Sequence, residues 1–173
     1  IIFSGGPESV NSKFKPRFNS KILEINQPIL GICYGMQLLA KQCKGKVDLS
    51  AKREFGHSEL VFNKNILFKG VTEEKKKINV WMSHGDKVVK LPNRFKKIAS
   101  STNSKIAAFA SNDGKRFGVQ FHPEVSHTDQ GQKILSNLAL EICGCDKNWT
   151  SNPYLFDDKN EVSEKIKDTI WTV

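Results

Sequence analysis

Short apolar runs in this chain are separated by stretches whose apolar residues recur every three or four positions. The runs predict strands over residues 1–3, 29–32, 59–62, 79–82, 96–101, 105–110 and 116–121. The longer-period stretches predict helices over residues 16–25, 36–44 and 131–142. In the second, Met36, Leu39, Ala40 and Cys43 fall at i, i+3, i+4 and i+7. In the third, Ile134, Leu135, Leu138, Ala139 and Ile142 make one apolar face. Gly45 after Lys44 suits a left-handed stop, and Asn112-Asp113-Gly114-Lys115 has the chemistry of a hairpin turn. Helices early and late with hairpin strands between suit an α/β fold, a mostly parallel sheet carrying an antiparallel edge.

Where the run at 29–32 meets the helix at 36–44 stands Gly31-Ile32-Cys33-Tyr34-Gly35. Cys33 therefore falls on a sharp strand-to-helix turn, with glycines on both sides to permit a tight backbone and close substrate approach. A thiol at a helix N-terminus feels the positive end of the dipole, which favours the thiolate, the form that attacks a carbonyl carbon. On the pentapeptide alone, a buried structural cysteine remains the alternative.

A catalytic thiol needs a base in reach and a third group to hold that base. Of His57, His84, His122 and His127, His122 comes with the obvious orienting carboxylate, in His122-Pro123-Glu124. It lies at a strand's end, where α/β proteins place catalytic groups. Pro123 pushes His122 towards extended geometry, in which residues two apart project to the same side. Glu124 can then reach one imidazole nitrogen and leave the other for Cys33. With no carboxylate beside it in sequence, His84 reads as structural. His57 reads as a surface residue and His127 as part of a helix-entry loop. Two lookalikes fail. Gly56-His57-Ser58-Glu59-Leu60 has leucine in place of a serine-hydrolase elbow's second glycine, and in Ser4-Gly5-Gly6-Pro7-Glu8-Ser9 the proline removes an N–H that a phosphate loop needs.

Gly31-Ile32-Cys33-Tyr34-Gly35-Met36-Gln37 and His122-Pro123-Glu124 resemble the nucleophile and His/Glu signatures of the class I (triad) glutamine amidotransferases. Further stretches look like the GMP-synthetase branch of that family: Ser4-Gly5-Gly6-Pro7, Trp81-Met82-Ser83-His84-Gly85-Asp86-Lys87-Val88, Phe121 to Glu124 with Val125, His127 and Thr128, and Ile142-Cys143-Gly144-Cys145 followed by Trp149. The resemblance covers residues 1–152. It implies a flavodoxin-like three-layer sandwich and a glutaminase in which Cys33, His122 and Glu124 are catalytic. By the same resemblance, the backbone N–H groups of Gly6 and Tyr34 receive the oxyanion, while Gln37, Ser83, Gly85 and Asp86 hold the glutamine. It implies no cofactor or metal in this domain. ATP and Mg²⁺ are expected in a synthetase partner, an ATP pyrophosphatase that takes the ammonia to aminate xanthosine monophosphate. A cysteine hydrolase on the same fold is the rival reading. A non-catalytic regulatory module would need a broken triad, and Cys33, His122 and Glu124 are all present.

Relatives carry a strand, a helix and another strand before the one that Ile1-Ile2-Phe3 resembles, so residues upstream are expected. At the other end Asn152-Pro153 reads as a boundary. Val162, Ile166 and Ile170 then repeat at four-residue spacing, which makes residues 153–173 a linker with a short amphipathic helix leading towards the pyrophosphatase domain.

The chain's 173 residues suffice for one domain with a sizeable core. Lys and Arg number 27 against 18 Asp and Glu, a formal net charge of +9. The lysines are scattered without interleaved aromatics, so the charge reads as a solvated surface and no nucleic-acid partner is expected. Four cysteines, one of them read as a thiolate, suit a reducing compartment, and a cytoplasmic location is expected. Cys143 and Cys145 alone make a poor zinc site. No run of about eighteen apolar residues points to a membrane.

Overall fold

The computed structural model describes residues 1–148 apart from Phe14, Arg17 and residues 73–75, with the backbone alone at Ala51 and Lys52. The expected boundary at 152/153, the amphipathic helix beyond it and Trp149 lie outside the described residues. The strands are β1 (Ile2–Phe3), β2 (Ile29–Ile32), β3 (Lys46–Phe62), β4 (Lys77–Lys90), β5 (Phe95–Ser101), β6 (Ala108–Ser111) and β7 (Arg116–Val119). Helix α1 spans Tyr34–Gln42, and α2 spans Gly131–Ser136 before continuing as a π-helical stretch, Asn137–Ile142.

Among the described residues the strands form one sheet in the order β1-β2-β7-β6-β5-β3-β4. β1, β2 and β7 run parallel, and every other neighbouring pair is antiparallel. The α/β fold is as expected, but the antiparallel part is larger than an edge.

The apolar period of two along the strands sorts the core onto two faces. Ile29 and Phe109 point to the side covered by α1, where they pack with Met36, Leu39 and Ala40. Leu30, Ala108, Ala110, Phe117 and Val119 point to the other side, against Leu67, Phe68, Ile134 and Leu138. A helix on each face makes three layers. It also explains why β2 is buried at all four positions and reads as an unbroken apolar run.

Three expectations need correction. The strand expected at 59–62 is the last quarter of the 17-residue β3, and that expected at 79–82 opens the 14-residue β4. Their extensions escape the apolar pattern because inward positions carry Glu54, His84 and Asp86, all buried. The helix expected at 16–25 is only a 3-10 turn, Ser20–Leu23, capped by the Asn19 side chain. None of its four residues is buried, so no apolar face supports a longer helix there. Smaller shifts fall at element ends: α1 begins two residues early, β6 spans Ala108–Ser111, and β7 stops at Val119.

Glycines at 31 and 35 let this geometry close. A Cβ on Gly31 would stand 2.6 Å from the backbone of Gly35 and Met36, and one on Gly35 would overlap the Phe3 carbonyl oxygen. The tight approach is between strand and helix backbones, the tight turn that the flanking glycines suggested in the sequence.

Candidate active site

Cys33 ends β2 and begins α1 with φ 50° and ψ −107°. A non-glycine residue in that region carries strain of about 1–3 kcal/mol, and the packing around it holds the turn. Its N–H donates to the Val119 carbonyl at 2.8 Å, which ties the elbow to the end of β7. Three residues past Val119, His122 is pinned by its own backbone. Its N–H donates to Trp81 O at 3.1 Å, and its carbonyl accepts from Thr128 Oγ1 at 2.6 Å. Thr128 also accepts from Trp81 N–H at 3.0 Å, so β4 and the loop after β7 clamp the histidine together.

His122 Nδ1 lies 2.7 Å from Glu124 Oε1. The carboxylate can only accept, so Nδ1 carries the proton and Nε2 is left as the basic nitrogen. The two halves of the site meet over Gly5: a Cβ there would stand 2.9 Å from His122 Cε1 and 3.8 Å from Cys33 Cβ. A cavity of about 510 Å³ opens here, bordered by Gly6, Cys33, Tyr34, Gln37, His122 and the Ser83–Asp86 wall of β4. Every site residue expected from sequence except Glu124 lines it, and Glu124 reaches it through His122.

The Cys33 thiol is not a resting thiolate. Burial pushes its pKa up to about 11, and the Glu124 charge pushes the same way, against the Tyr34 backbone N–H and the Gln120 amide. The helix-end effect read from sequence is present but smaller than desolvation. The sulfur is 3.3 Å from the Ser83 carbonyl oxygen, to which the thiol donates.

On β4, Asp86 is 6% exposed and accepts a short hydrogen bond from Ser9 Oγ. Gln37 lies one turn after Cys33, and its Nε2 donates to the Asp86 carbonyl at 2.8 Å, so the side chain braces the wall as well as bordering the cavity. Arg53 packs beside Gly85, its Nε 3.7 Å from where a Cβ would stand, an ordinary contact. Arg53 borders the cavity too, and its position within the irregular stretch of β3 between Leu49 and Glu54 left no sequence signal.

His84, read as structural for lack of a carboxylate, has one within reach. The β3–β4 register pairs it with Glu54, and His84 Nε2 lies 3.1 Å from Glu54 Oε2 while Nδ1 lies 2.9 Å from Asp86 O. Burial works against the Glu54 carboxylate, yet hydrogen bonds from His84, Ser58 and Ser104 outweigh it and hold its pKa down at about 2. With an ordinary value near 4.5 in the unfolded chain, this group stabilises the fold above about pH 4.5 and ceases to as pH falls through about 2. The urea midpoint is therefore expected to fall across that window by the equivalent of about 3 kcal/mol. Glu54→Gln should lower stability at neutral pH and flatten this part of the acid profile. An unchanged acid profile in the variant would remove Glu54 as the cause.

His57 is exposed as expected, edge-on to Trp81 with ring centroids 5.2 Å apart, and His127 stands 4.7 Å from the same indole. Cys143 and Cys145 are exposed free thiols. Among the described residues no helix is long and apolar enough to cross a membrane.

The family model "Glutamine amidotransferase class-I" matches residues 1–142. The chain belongs to the class I glutamine amidotransferases. This amidotransferase is 44% identical over 169 residues to the GMP synthase (glutamine-hydrolyzing) of Aliivibrio fischeri, in an alignment taking in 97% of the chain and 32% of that protein. It is 45% identical over 172 residues to the enzyme of the same name from Coxiella burnetii, covering 96% and 33%. The chain thus spans about a third of the length of these relatives. Among solved structures it resembles a protein from Thermoplasma acidophilum described as a GMP synthase subunit, with 34% identity, a TM-score of 0.66, and coverage of 71% of this chain and 60% of that one. A glutamine amidotransferase from Thermotoga maritima shares 25% identity at a TM-score of 0.55, covering 84% and 53%.

Proposed function

We propose that this chain is the glutaminase portion of a GMP synthetase. It hydrolyses the side-chain amide of L-glutamine and passes the ammonia to a synthetase partner that aminates xanthosine monophosphate with ATP and Mg²⁺. The observation that carries the reading is the convergence of Cys33 and the His122–Glu124 pair at Gly5, beside a wall that presents Asp86.

Glutamine is recognised by the two α-groups at one end and attacked at the side-chain amide at the other. The Asp86 carboxylate is the counter-charge for the α-ammonium, and Arg53 supplies the cation that an α-carboxylate requires. The Cys33 proton passes to His122 Nε2 as sulfur bonds to the amide carbon, and the N–H groups of Tyr34 and Gly6 receive the charge that develops on oxygen. His122 returns the proton to the amide nitrogen, the C–N bond breaks, and ammonia departs from a γ-glutamyl thioester. A water molecule then gives a proton to His122 as its oxygen attacks, the C–S bond breaks, and glutamate leaves with the thiol restored. Glu124 fixes the tautomer throughout and offsets the imidazolium charge.

A glutamine-like diazoketone, which carries both α-groups and a reactive carbonyl, is expected to label Cys33 alone when followed by peptide mass mapping. Labelling spread over Cys43, Cys143 and Cys145, or absent from Cys33, would overturn the proposal. The rival cysteine-hydrolase reading, in its γ-glutamyl hydrolase form, predicts turnover of γ-glutamyl peptides in preference to free glutamine.

A further inference from the structure

Gln120 follows β7 and is fully buried. The parallel register pairs Ile32 with Val119, so Cys33 and Gln120 are the next residues out of two adjacent strands. The Gln120 backbone N–H is satisfied by Ala107 O at 2.8 Å, and its side-chain Oε1 accepts from Gln37 Nε2 at 3.3 Å. Its Nε2 has no hydrogen-bond partner among the described residues. Native proteins keep few buried donors in that condition, each costing about 1–3 kcal/mol, so one beside a nucleophile calls for a reason.

The orientation of this amide follows from its neighbours. Gln37 Nε2 also donates to the Asp86 carbonyl, which can only accept, so the atom identity at Gln37 is fixed. The Gln120 atom facing it must then be the oxygen, and the NH₂ group is turned the other way. The Cys33 sulfur stands at the adjoining strand end, and the Gln120 side chain favours its ionised form, as a donor turned towards it would. In the resting thiol the S–H points at the Ser83 carbonyl, and the sulfur is a poor acceptor. Once the proton has passed to His122, the Ser83 oxygen repels the sulfur and Gln120 Nε2 is a donor already aimed.

We infer that Gln120 is a positioning residue that donates to the Cys33 sulfur in its thiolate state. The chain Asp86–Gln37–Gln120 holds it ready and joins the nucleophile to the wall proposed to bind the substrate's amine. The inference deepens the glutaminase reading and rests on it. The alternative is a strut: Gln120 serves only to hold Gln37 and, through it, Asp86. A strut affects substrate binding and leaves the ionisation of an unliganded thiol unchanged.

The charged and titratable groups around the sulfur are His122 and Glu124 after β7, His84 and Asp86 on β4, Arg53 on β3 and Glu8 after β1. None is altered by changing Gln120. The test is the rate of Cys33 alkylation by iodoacetamide as a function of pH in the 173-residue chain without glutamine, read by peptide mass spectrometry with Cys43 as an internal monitor of folding. Gln120→Leu is expected to move the Cys33 profile to higher pH by about one unit, with a rate near neutrality about tenfold lower. Gln120→Glu, which replaces the donor by an acceptor, should move it further. Should Gln120→Leu unfold, seen as Cys43 reacting as fast as in denaturant, Gln120→Met is read in its place with the same expectation. A folded variant whose Cys33 profile superimposes on the parent's overturns the inference and leaves the strut. Because iodoacetamide needs no glutamine site, this outcome is distinct from a failure of the diazoketone to label Cys33, which would remove the glutaminase reading itself.

Discussion

Cys33→Ala is expected to lower glutamate release from glutamine by about 10⁵-fold or more, the scale on which nucleophile removal acts in hydrolases of this logic. No other group in the cavity can form the thioester. Cys43, the nearest cysteine in sequence, sits nearly three turns along α1 and borders the opposite apolar layer. The alanine keeps the backbone of the elbow, so folding and glutamine binding should persist, and equilibrium dialysis with labelled glutamine should show an affinity within a few-fold of the parent. Residual hydrolysis within a hundredfold of the parent would mean that the reaction does not pass through this sulfur.

Glu124→Gln is the second large effect. A glutamine amide presents either an acceptor or a donor to His122 Nδ1, so the tautomer with Nε2 basic loses its enforcement, and the imidazolium loses a charge 2.7 Å away. Where the orienting carboxylate is buried, such a change costs about 10⁴-fold in kcat. Here the Glu124 side chain is 44% exposed, and solvent screens part of its field. The expected loss is therefore smaller, about 10²- to 10³-fold in kcat, with KM for glutamine changed little because Glu124 is not on the cavity wall. A kcat within threefold of the parent would show that His122 is oriented by its backbone clamp alone.

The nucleophile turn and the His-Pro-Glu pair were legible because each is local. An apolar run meeting a helical period places Cys33 on an elbow, and two-residue spacing across a proline places Glu124 against His122. The central strands and both long helical periods were legible for the same reason, since burial on two faces writes an unbroken apolar run. What escaped is set by register at long range. Glu54 meets His84 across thirty positions, Gln37 meets Gln120 across 83, and neither pairing leaves a local signal. The same buried polar groups interrupt the apolar alternation of β3 and β4, which is why those strands look short in sequence. The state of the thiol escaped as well. Position in sequence reveals the helix end that favours ionisation, whereas the burial that opposes it more strongly exists only in the folded sheet.

The hydrogen on the Cys33 sulfur, parked on the Ser83 carbonyl, also bears on how the domain endures between turnovers. Burial holds the thiol protonated near neutral pH, and peroxides and electrophilic metabolites attack the anion. The desolvation that disfavours the thiolate thus also disfavours its oxidation, so Cys33 is expected to react more slowly with peroxide than a free, exposed thiol.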